Sequence, residues 1–464
     1  MRNLILNTDS YKVSHFLQYP PGTKNVSSYI EAREGGDFGE VTLFGTQAYF
    51  YDVLEKPISW GDIIEAEDFL AKHGEPFNKE GWRYIKDKHG GFLPVVIEAL
   101  PEGTTVPLGI PLVQVRSTDD ATPWITSYIE TSLLRNIWYG STVATYSRNV
   151  KKVLKFYLDK TCDDPAGAIA FMLHDFGARG VSSYESAALG GCAHLINFMG
   201  TDTLAAIECA RDWYGADMPA FSVPAAEHST ITSWGPEHEV DAYANMIDKF
   251  DREGGIVSIV SDSYDYWNAI DNIYGGTLKD KVLAMKGRLV IRPDSGDPVE
   301  VVSNSVARLC NAFGYTVNQK GYKVIKANVR VLQGDGVNIN SIDAILERLY
   351  VEGYSAENVV FGMGGALLQD HTRDDLRFAM KANAIYIDGE WHDVWKKPAT
   401  DLTKNSKAGI QTVHCTAEKG WYSVRAGTPQ PWADDDVNRL QTIVYNGELV
   451  TETNLEEIRT RAAL

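Results

Sequence analysis

Six short apolar runs in the middle of the chain each end at a charged or glycine-rich turn, and this feature limits the possible folds most strongly. The runs begin at Ala170, Ala220, Val257, Leu289, Val329 and Val359. Short, continuous apolar runs are typical of parallel strands that are buried on both faces, and the stretches between these runs have helical periodicity. The alternation predicts an α/β fold built around an irregular (β/α) barrel.

The residues after the six runs predict an enzyme site. In a (β/α) barrel the active site is assembled at the carboxyl ends of the strands, so polar residues at those ends converge on one rim. His174 and Asp175 follow the first run, and Arg292 ends the run that starts at Leu289. Because Arg292 stands directly on a buried strand, it needs an anionic partner there.

Carboxylates near the strand ends could bind Mg²⁺ through water or stabilise a transient cation. They are Asp175, Asp202, Asp262, Asp294 and Asp335. Asp202 follows Gly200-Thr201 and is equally well explained as the first residue of a helix. His228 follows another run, where a histidine can shuttle protons or act as a nucleophile, or can be a hydrogen-bonded structural residue.

Glycine clusters close the last two predicted strands, where barrels commonly bind phosphate through backbone N–H groups. They are Gly334-Asp335-Gly336 and Gly362-Met363-Gly364-Gly365. Each cluster alone is also compatible with a plain turn, but consecutive clusters at one rim favour an anion site. Further cations near the strand ends or in flanking segments are Arg33, Arg179, Arg373, Lys381 and Lys396.

The composition sets limits on the class of protein. The 464 residues are enough for a barrel of about 250 residues and a second domain. A net charge of -18 argues against nucleic-acid or anionic-membrane partners, which need a basic face. The five cysteines have no metal-ligand spacing, and no apolar run approaches the roughly 18 residues of a membrane helix. We therefore expect reduced thiols and a cytoplasmic protein.

The pattern outside the barrel predicts an α+β domain. We expect this domain in residues 1–150, joined by the carboxyl-terminal segment 381–464, with the barrel-like catalytic domain in residues 151–380. A serine cap and a terminal glycine predict a helix from Trp60 to His73, and Asn446-Gly447 predicts a hairpin turn. Other predicted elements are helices at Asp9 to Tyr19, Pro123 to Leu134 and Thr453 to Ala463, and strands within Lys24 to Arg33, Val95 to Val115, Arg377 to Ile387 and Gln441 to Val450.

Seven motifs, in order along the chain, resemble those of the nicotinamide phosphoribosyltransferase family. They are Leu6 to Lys12, His174 to Gly177, Arg179 to Ser183, Gly200 to Thr203, Ser222 to Thr230, Ile291 to Gly296 and Gln333 to Gly336. The resemblance implies the type II phosphoribosyltransferase fold and a homodimer with shared active sites. The implied reaction joins nicotinamide and phosphoribosyl pyrophosphate into nicotinamide mononucleotide and pyrophosphate.

The resemblance also implies a role for each site residue. Phe176 and Tyr11 of the partner subunit would sandwich the pyridine ring, with Asp202 accepting the carboxamide N–H and Arg292 beside the ring. Asp294, Gly334 and Asp335 would hold the ribose, and His228 would be phosphorylated by ATP as an activating co-substrate. Arg179, Gly364 and Gly365 would bind the 5′-phosphate, and Ser222 would also bind substrate. The cations near the pyrophosphate would be Arg33, Arg373, Lys381 and Lys396. Asp262 would lie close to the substrate's Mg²⁺, which is bound mainly by the pyrophosphate rather than by a protein metal site.

Three other interpretations compete with this one. Nicotinate phosphoribosyltransferase shares the fold and the reaction, and Asp202 argues against it because a carboxylate there repels a carboxylate on the substrate. A sugar-phosphate isomerase or aldolase usually needs a Schiff-base lysine or a base at a strand end, and none of the six runs ends directly in lysine. A non-catalytic binding protein has no need to concentrate Arg and Asp on one rim.

Overall fold

The computed structural model describes residues 3–400, 405–427 and 437–464, and these fall into two units. The first unit contains residues 1–145, 212–216 and 371–463, and the second contains residues 146–211 and 217–370. The first unit is thus built from both ends of the chain. The second holds the predicted barrel strands.

The first unit is organised by a seven-stranded antiparallel sheet, whose neighbours come from distant parts of the sequence. Lys381, for example, lies opposite Tyr29 in the register of two adjacent strands. The Asn446-Gly447 hairpin is confirmed, since both residues have positive φ angles, as a tight two-residue hairpin turn requires. In spatial order the strands are Glu390–Asp393, Ala379–Ile387, Asn25–Glu31, Pro111–Ser117, Val95–Ala99, Gln441–Tyr445 and Glu448–Leu449.

The helix Trp60–His73 has the predicted bounds. Ser59 caps its start by accepting a hydrogen bond from the Asp62 N–H, and Gly74 ends it in the left-handed conformation. Ile63 and Leu70 lie on its buried face, while Ile64 and Phe69 are exposed. The unit also contains the α-helices Thr46–Tyr49, Lys79–Lys88, Ile125–Tyr128 and Leu455–Ala462, the π-helix Phe50–Leu54, the 3₁₀ helices Leu4–Leu6 and Ser10–Leu17, and the strand pairs Glu40–Thr42 with Thr105–Pro107 and Gln411–Thr416 with Gly420–Arg425.

The predicted end of the helix at Leu134 was wrong. The chain forms a short helix at Ile125–Tyr128 and then a 32-residue helix, Glu130–Thr161. Gly140 does not break this helix. A Cβ atom there would lie 3.1 Å from the carbonyl oxygen of Phe44, so the glycine instead allows close backbone packing.

The second unit is organised by six parallel strands. Their apolar residues are buried on both faces, as shown by Leu173, Ile291, Val331 and Phe361, which have no exposed surface. In spatial order the strands are Gly200–Thr201, Leu173–Asp175, Val359–Met363, Val329–Gln333, Arg288–Arg292 and Ile256–Val260. Four of the six predicted runs therefore form strands of one parallel sheet, and the run at Ala170 contributes only its last residue, Leu173, to a fifth strand.

The run at Ala220 was wrongly predicted as a strand. Only single parallel bridges form there, one joining Phe221 to Gly200 and one joining Ala225 to Ser258. Pro224 has no N–H to donate, so it interrupts a regular ladder between those bridges. The two bridges nevertheless connect the outer strands of the sheet and close it into an irregular barrel.

Two details of the barrel strands differ from the prediction. The Gly200–Thr201 strand was not predicted, because two residues are too few to show a hydrophobic pattern. His174 and Asp175, which were predicted to follow a strand, lie within it and pair with Gly362 and Met363. The helices are Pro165–Ile169, Tyr184–Leu195, Leu204–Tyr214, His228–Thr232, Pro236–His238, Glu239–Phe250, Tyr266–Asn268, Ala269–Thr277, Lys279–Leu283, Pro298–Phe313, Ile339–Glu352, Ala356–Asn358 and Gly365–Leu368, and Tyr315–Val317 pairs with Lys323–Ile325 in a small hairpin.

Candidate active site

A cavity of about 210 Å³ lies at the carboxyl ends of the parallel strands in the second unit. Four separate strand ends contribute to it, as expected for an active site in a barrel. An aromatic ring, two arginines, one aspartate and several glycines line it, a combination suited to an anionic substrate with a planar part. The lining residues are Phe176, Arg179, Gly180, Arg292, Asp294, Gly334, Gly364 and Gly365.

Glycines in two neighbouring strands make room for the Phe176 ring. A Cβ atom on Gly362 would overlap the ring, and one on Gly334 would lie 3.5 Å from it. The backbone N–H of Phe176 donates a 2.9 Å hydrogen bond to the Met363 carbonyl, which fixes the start of the loop. The ring is therefore held in one position, with one side against glycine backbone and the rest facing the cavity.

Arg292 and Asp294 form a loose charged pair in the cavity wall. The Arg292 Nε atom lies 3.6 Å from Asp294 Oδ1, and this buried nitrogen makes no hydrogen bond to the described residues. Burial raises the pKa of the Asp294 carboxyl, while Arg292 lowers it and Asp262 raises it. Arg292 thus keeps donor capacity for an additional anion.

His228 joins two of these carboxylates. Its Nε2 atom lies 2.9 Å from Asp262 Oδ1, and its Nδ1 atom lies 3.9 Å from Asp294 Oδ2. Ser295 also donates a 2.7 Å hydrogen bond to Asp262. The imidazole is about half exposed, with its side chain 46% accessible, while the Asp262 side chain is buried. A protein carboxylate therefore orients a histidine that a substrate can reach.

Asp202 and Ser222 lie together beside the strand Leu173–Asp175. The Ser222 hydroxyl donates a hydrogen bond to Asp202 Oδ1, and both side chains are exposed. The Asp202 N–H donates to the Asp175 carbonyl at 2.9 Å. The exposed carboxylate is positioned to accept a hydrogen bond from a ligand.

Gly334, Gly364 and Gly365 of the two glycine clusters line the cavity. Gly364 lies just before the short helix Gly365–Leu368, and both glycines face the cavity. Asp335 is exposed, and its carbonyl accepts a 2.7 Å hydrogen bond from Gln333. Its charge also contributes to raising the pKa of Asp294, so the two carboxylates are near neighbours.

The remaining predicted residues lie in the first unit. Arg33, Lys396 and Arg373 all lower the pKa of the half-buried Lys381, although burial lowers it most and Glu130 raises it. The structure therefore brings these four cations together within that unit. Tyr11 is 58% exposed on the helix Ser10–Leu17, and its ring packs edge-on against His15.

Three site residues were missed as individual candidates. Gly180 lines the cavity, and a Cβ atom there would lie 3.4 Å from the Gly365 N atom, so close backbone packing favours glycine. Ser295 supports Asp262, and the buried Ser263 hydroxyl beside Asp262 has no partner among the described residues. Gly180 and Ser295 fall inside the motifs noted above, whereas only the neighbouring Asp262 drew attention to Ser263.

The donor set fits Mg²⁺ only when a substrate supplies further ligands. No group of three or more His, Cys, Asp or Glu side chains in the described part of the chain is arranged to hold a metal ion. Asp262, Asp294 and Asp335 nevertheless provide the hard oxygen atoms that Mg²⁺ prefers.

Among the described helices, none is both long and apolar enough to cross a membrane.

Solved structures of low sequence identity share this fold. Nicotinate-nucleotide pyrophosphorylase from Pyrococcus furiosus matches with a TM-score of 0.65 at 18% identity, over 99% of this chain and 95% of that one. Human nicotinic acid phosphoribosyltransferase matches with a TM-score of 0.57 at 16% identity, over 98% and 92% of the two chains. The chain therefore has the fold of the type II phosphoribosyltransferases.

Sequence comparisons identify the family. The nicotinate phosphoribosyltransferase (NAPRTase) family model matches residues 171–444, and the model of the nicotinamide phosphoribosyltransferase N-terminal domain matches residues 3–97. The nicotinamide phosphoribosyltransferase of Xanthomonas campestris pv. campestris (strain 8004) is 51% identical over 99% of this chain and 98% of its own length. That of Acinetobacter baylyi (strain ATCC 33305 / BD413 / ADP1) is 32% identical over 98% and 96%. The chain belongs to the nicotinate phosphoribosyltransferase family.

Proposed function

We propose that this chain is a nicotinamide phosphoribosyltransferase, a pentosyltransferase of NAD salvage. It transfers the phosphoribosyl group of phosphoribosyl pyrophosphate to nicotinamide and releases nicotinamide mononucleotide and pyrophosphate. The observation that carries the proposal is the strand-end cavity, in which Phe176, Arg179, Arg292 and Asp294 combine an aromatic surface with cations and a carboxylate. The 51% identity with a nicotinamide phosphoribosyltransferase over nearly the whole chain supports the choice of base.

The acceptor base binds between an aromatic ring and a hydrogen-bond acceptor. Phe176 stacks on one face of the pyridine ring, and Tyr11 of the partner subunit stacks on the other. Asp202, held by Ser222, accepts the carboxamide N–H. A second carboxylate, on nicotinate, is repelled at this position, so the site prefers the amide.

The donor binds through its phosphates and ribose. Arg179 and the backbone N–H groups of Gly364 and Gly365 bind the 5′-phosphate. Asp294, Gly334 and Asp335 hold the ribose hydroxyls. The pyrophosphate is bound by the cations that the first unit brings together, namely Arg33, Arg373, Lys381 and Lys396.

Stabilisation of charge explains the catalysis. Departure of pyrophosphate leaves a ribose with oxocarbenium character, which Asp294 and its neighbouring carboxylates stabilise. The pyridine nitrogen carries no proton to remove, so the base needs to be positioned and does not need a general base. Mg²⁺ bound to the pyrophosphate supplies further charge neutralisation for the leaving group, with Asp262 close to it.

His228 couples the reaction to ATP in this proposal. Its Nε2 atom is oriented by Asp262, and its Nδ1 atom faces Asp294. A half-exposed histidine held by a carboxylate is suited to accept the γ-phosphoryl group of ATP. ATP is therefore an activating co-substrate, and Mg²⁺ is the metal cofactor.

We further propose a homodimer in which each active site receives Tyr11 from the partner subunit. The exposure of Tyr11 is compatible with that role. The five cysteines are free thiols, and four of them are buried, which supports a reducing, cytoplasmic location. The net charge of -18 supports partners that are small molecules rather than nucleic acids or membranes.

Product analysis tests the proposed reaction. The purified protein is incubated with phosphoribosyl pyrophosphate, Mg²⁺ and either nicotinamide or nicotinate, with and without ATP, and the product is identified by mass. We expect nicotinamide mononucleotide, formed more efficiently with ATP. Preferential formation of nicotinate mononucleotide would instead support a nicotinate phosphoribosyltransferase, and no product with either base would refute both.

Substitution of Asp202 tests the basis of this preference. Asp202→Asn removes the negative charge and leaves an amide of similar size. We expect the ratio of kcat/KM for nicotinamide to that for nicotinate to fall about tenfold, because an attraction is weakened and a repulsion is removed. The matched control is the exposed Asp217→Asn, with an unchanged ratio. An unchanged ratio in Asp202→Asn would exclude Asp202 from base selection.

A further inference from the structure

Asp175 is a buried carboxylate to which the proposed reaction gives no role. It is the last residue of the strand Leu173–Asp175 and has no exposed surface. An aspartate in such a place is energetically costly unless its oxygens are hydrogen-bonded. Its partners therefore show what the residue is for.

One carboxylate oxygen of Asp175 organises the loop that carries Phe176. Asp175 Oδ1 accepts a 2.7 Å hydrogen bond from the Gly177 N–H. The intervening Phe176 N–H donates to the Met363 carbonyl at 2.9 Å. The backbone on both sides of the Phe176 side chain is thus fixed, which determines where the ring enters the cavity.

The other side of Asp175 organises the loop that carries Asp202. Its Oδ2 atom lies 3.4 Å from the Thr201 hydroxyl, and its carbonyl accepts a 2.9 Å hydrogen bond from the Asp202 N–H. The Thr201 hydroxyl also accepts a 3.0 Å hydrogen bond from the Thr203 N–H. Asp175 therefore contacts Thr201 and Asp202 directly, and the Thr201 hydroxyl links it to the Thr203 N–H.

A helix closes behind the carboxylate and keeps it in place. Gly191 lies in the helix Tyr184–Leu195, and a Cβ atom there would be 3.0 Å from Asp175 Oδ2 and 2.6 Å from the Ala206 Cβ atom. A larger residue at this position would displace the carboxylate. The site is packed to hold Asp175 where it reaches both loops.

We propose that Asp175 is a positioning residue that holds the Phe176 ring and the Asp202 carboxylate in the relative arrangement needed to bind the acceptor base. It does so without touching the base. The inference rests on the proposed function, since it assigns the two loops to base binding. Among the described residues, the hydrogen bonds of Asp175 join it to Gly177, Thr201 and Asp202 and not to Arg179, Arg292 or Asp294. We therefore expect the binding of the donor, which the proposal assigns to those three residues, to depend less on Asp175.

A pair of variants tests this inference by separating the two Michaelis constants. Asp175→Ala removes the side-chain acceptors of the Gly177 N–H and the Thr201 hydroxyl but keeps the backbone carbonyl that accepts the Asp202 N–H. We expect the KM for nicotinamide to rise about tenfold while that for phosphoribosyl pyrophosphate changes less than about twofold. Asp175→Asn retains an oxygen for the Gly177 N–H and offers an NH₂ group to the Thr201 hydroxyl. It should restore the KM for nicotinamide to within about threefold of the original value.

The possible outcomes distinguish this role from general destabilisation. Equal increases in both KM values, or no increase in either, would overturn the inference, as would failure of Asp175→Asn to restore base binding. If Asp175→Ala does not fold, Thr201→Val replaces it, with an expected rise of about threefold in the KM for nicotinamide alone. An unchanged value would then overturn the inference. If the unaltered protein uses neither base, the proposed function itself has failed.

Discussion

The two units carry charge in contrasting ways. In the second unit the cations are mixed with carboxylates, since Arg292 lies beside Asp294, and His228 lies between Asp294 and Asp262. In the first unit Arg33, Lys396 and Arg373 lower the pKa of Lys381 and Glu130 raises it, so cations predominate among the charges that act on this lysine. A mixed cluster can stabilise either sign of charge during a reaction, whereas a cluster of like charges is stabilised by an anion. In the proposed reaction, the mixed cluster of the second unit would stabilise the charge that develops on the ribose, and the cations of the first unit would bind pyrophosphate.

The largest effect should follow from neutralising the carboxylate of the mixed cluster. Asp294→Asn keeps the size of the side chain but removes the charge opposite the developing ribose cation. We expect kcat to fall about 100- to 1,000-fold, a typical loss for one electrostatic group in an active site. Steady-state kinetics measures this, with the exposed Asp280→Asn as the matched control. A fall in kcat of less than about threefold would contradict this role, because the Asp294 carboxylate would then contribute little to catalysis.

An intermediate effect should follow from changing the cluster of like charges. Lys381→Met removes the central cation, and we expect the KM for phosphoribosyl pyrophosphate to rise about tenfold. Lys72→Met is the control, because Lys72 forms only an exposed ion pair with Asp68. An equal effect of the two substitutions would show that the cluster has no specific role in binding the donor.

The KM for phosphoribosyl pyrophosphate should also depend on pH through Lys381. Because burial and the neighbouring cations lower the pKa of Lys381, it loses its proton at a lower pH than an ordinary lysine. As the pH is raised, the KM for phosphoribosyl pyrophosphate of the unaltered protein should therefore begin to rise below the pH at which an ordinary lysine loses its proton. It should rise later in Lys381→Arg, since arginine remains charged throughout that range.

The smallest effect concerns the free energy of unfolding and follows from the burial of one carboxylate, that of Asp175. Burial raises the pKa of Asp175 to about 6, and the hydrogen bond from Gly177 opposes this rise. The folded state therefore holds the proton more tightly than the unfolded state, and stability falls as pH rises from about 4 to about 6. Asp175→Asn avoids this cost, so it should be more stable at pH 7.5 by on the order of 2 to 3 kcal/mol.

Thermal unfolding at several pH values checks this prediction. The advantage of Asp175→Asn should shrink as the pH falls from 6 towards 4, where the unaltered carboxyl becomes protonated in both states. An advantage that stays constant over this range would contradict the raised pKa. A loss of stability at pH 7.5 would show that the hydrogen bonds of the charged form outweigh the cost of its burial.

The sequence predicted most of the barrel because its signal is local. Continuous apolar runs such as Leu289 to Ile291 are buried on both faces, and a residue such as Arg292 at the end of a run must face the rim. The strand at Gly200–Thr201 was too short to give such a signal, and the prolines around Phe221 replaced a ladder with single bridges. The predicted helix end at Leu134 fell short of the helix Glu130–Thr161, which continues through Gly140, where the chain packs closely against the Phe44 carbonyl.

The candidate site was only partly predictable for a different reason. The charged residues at the strand ends could be identified from their positions in the sequence. Their hydrogen-bond and ion-pair partners could not, because the spacing of residues in the sequence does not determine their distances in the folded chain. The hydrogen bond of Ser295 to Asp262 joins residues 33 positions apart. Lys381 is affected by the charge of Arg33 because Arg33 closely follows the strand Asn25–Glu31, which pairs antiparallel with the strand of Lys381. The roles assigned to these residues, the predicted domain borders, the dimer and the cofactors remain predictions.

A crystal structure of the protein with bound nicotinamide mononucleotide tests the central claim most directly. We expect the pyridine ring to stack on Phe176 with its carboxamide at Asp202 and the ribose at Asp294. The 5′-phosphate should lie at Arg179, Gly364 and Gly365. A nucleotide bound elsewhere, or one whose phosphate lies away from those glycines, would contradict it.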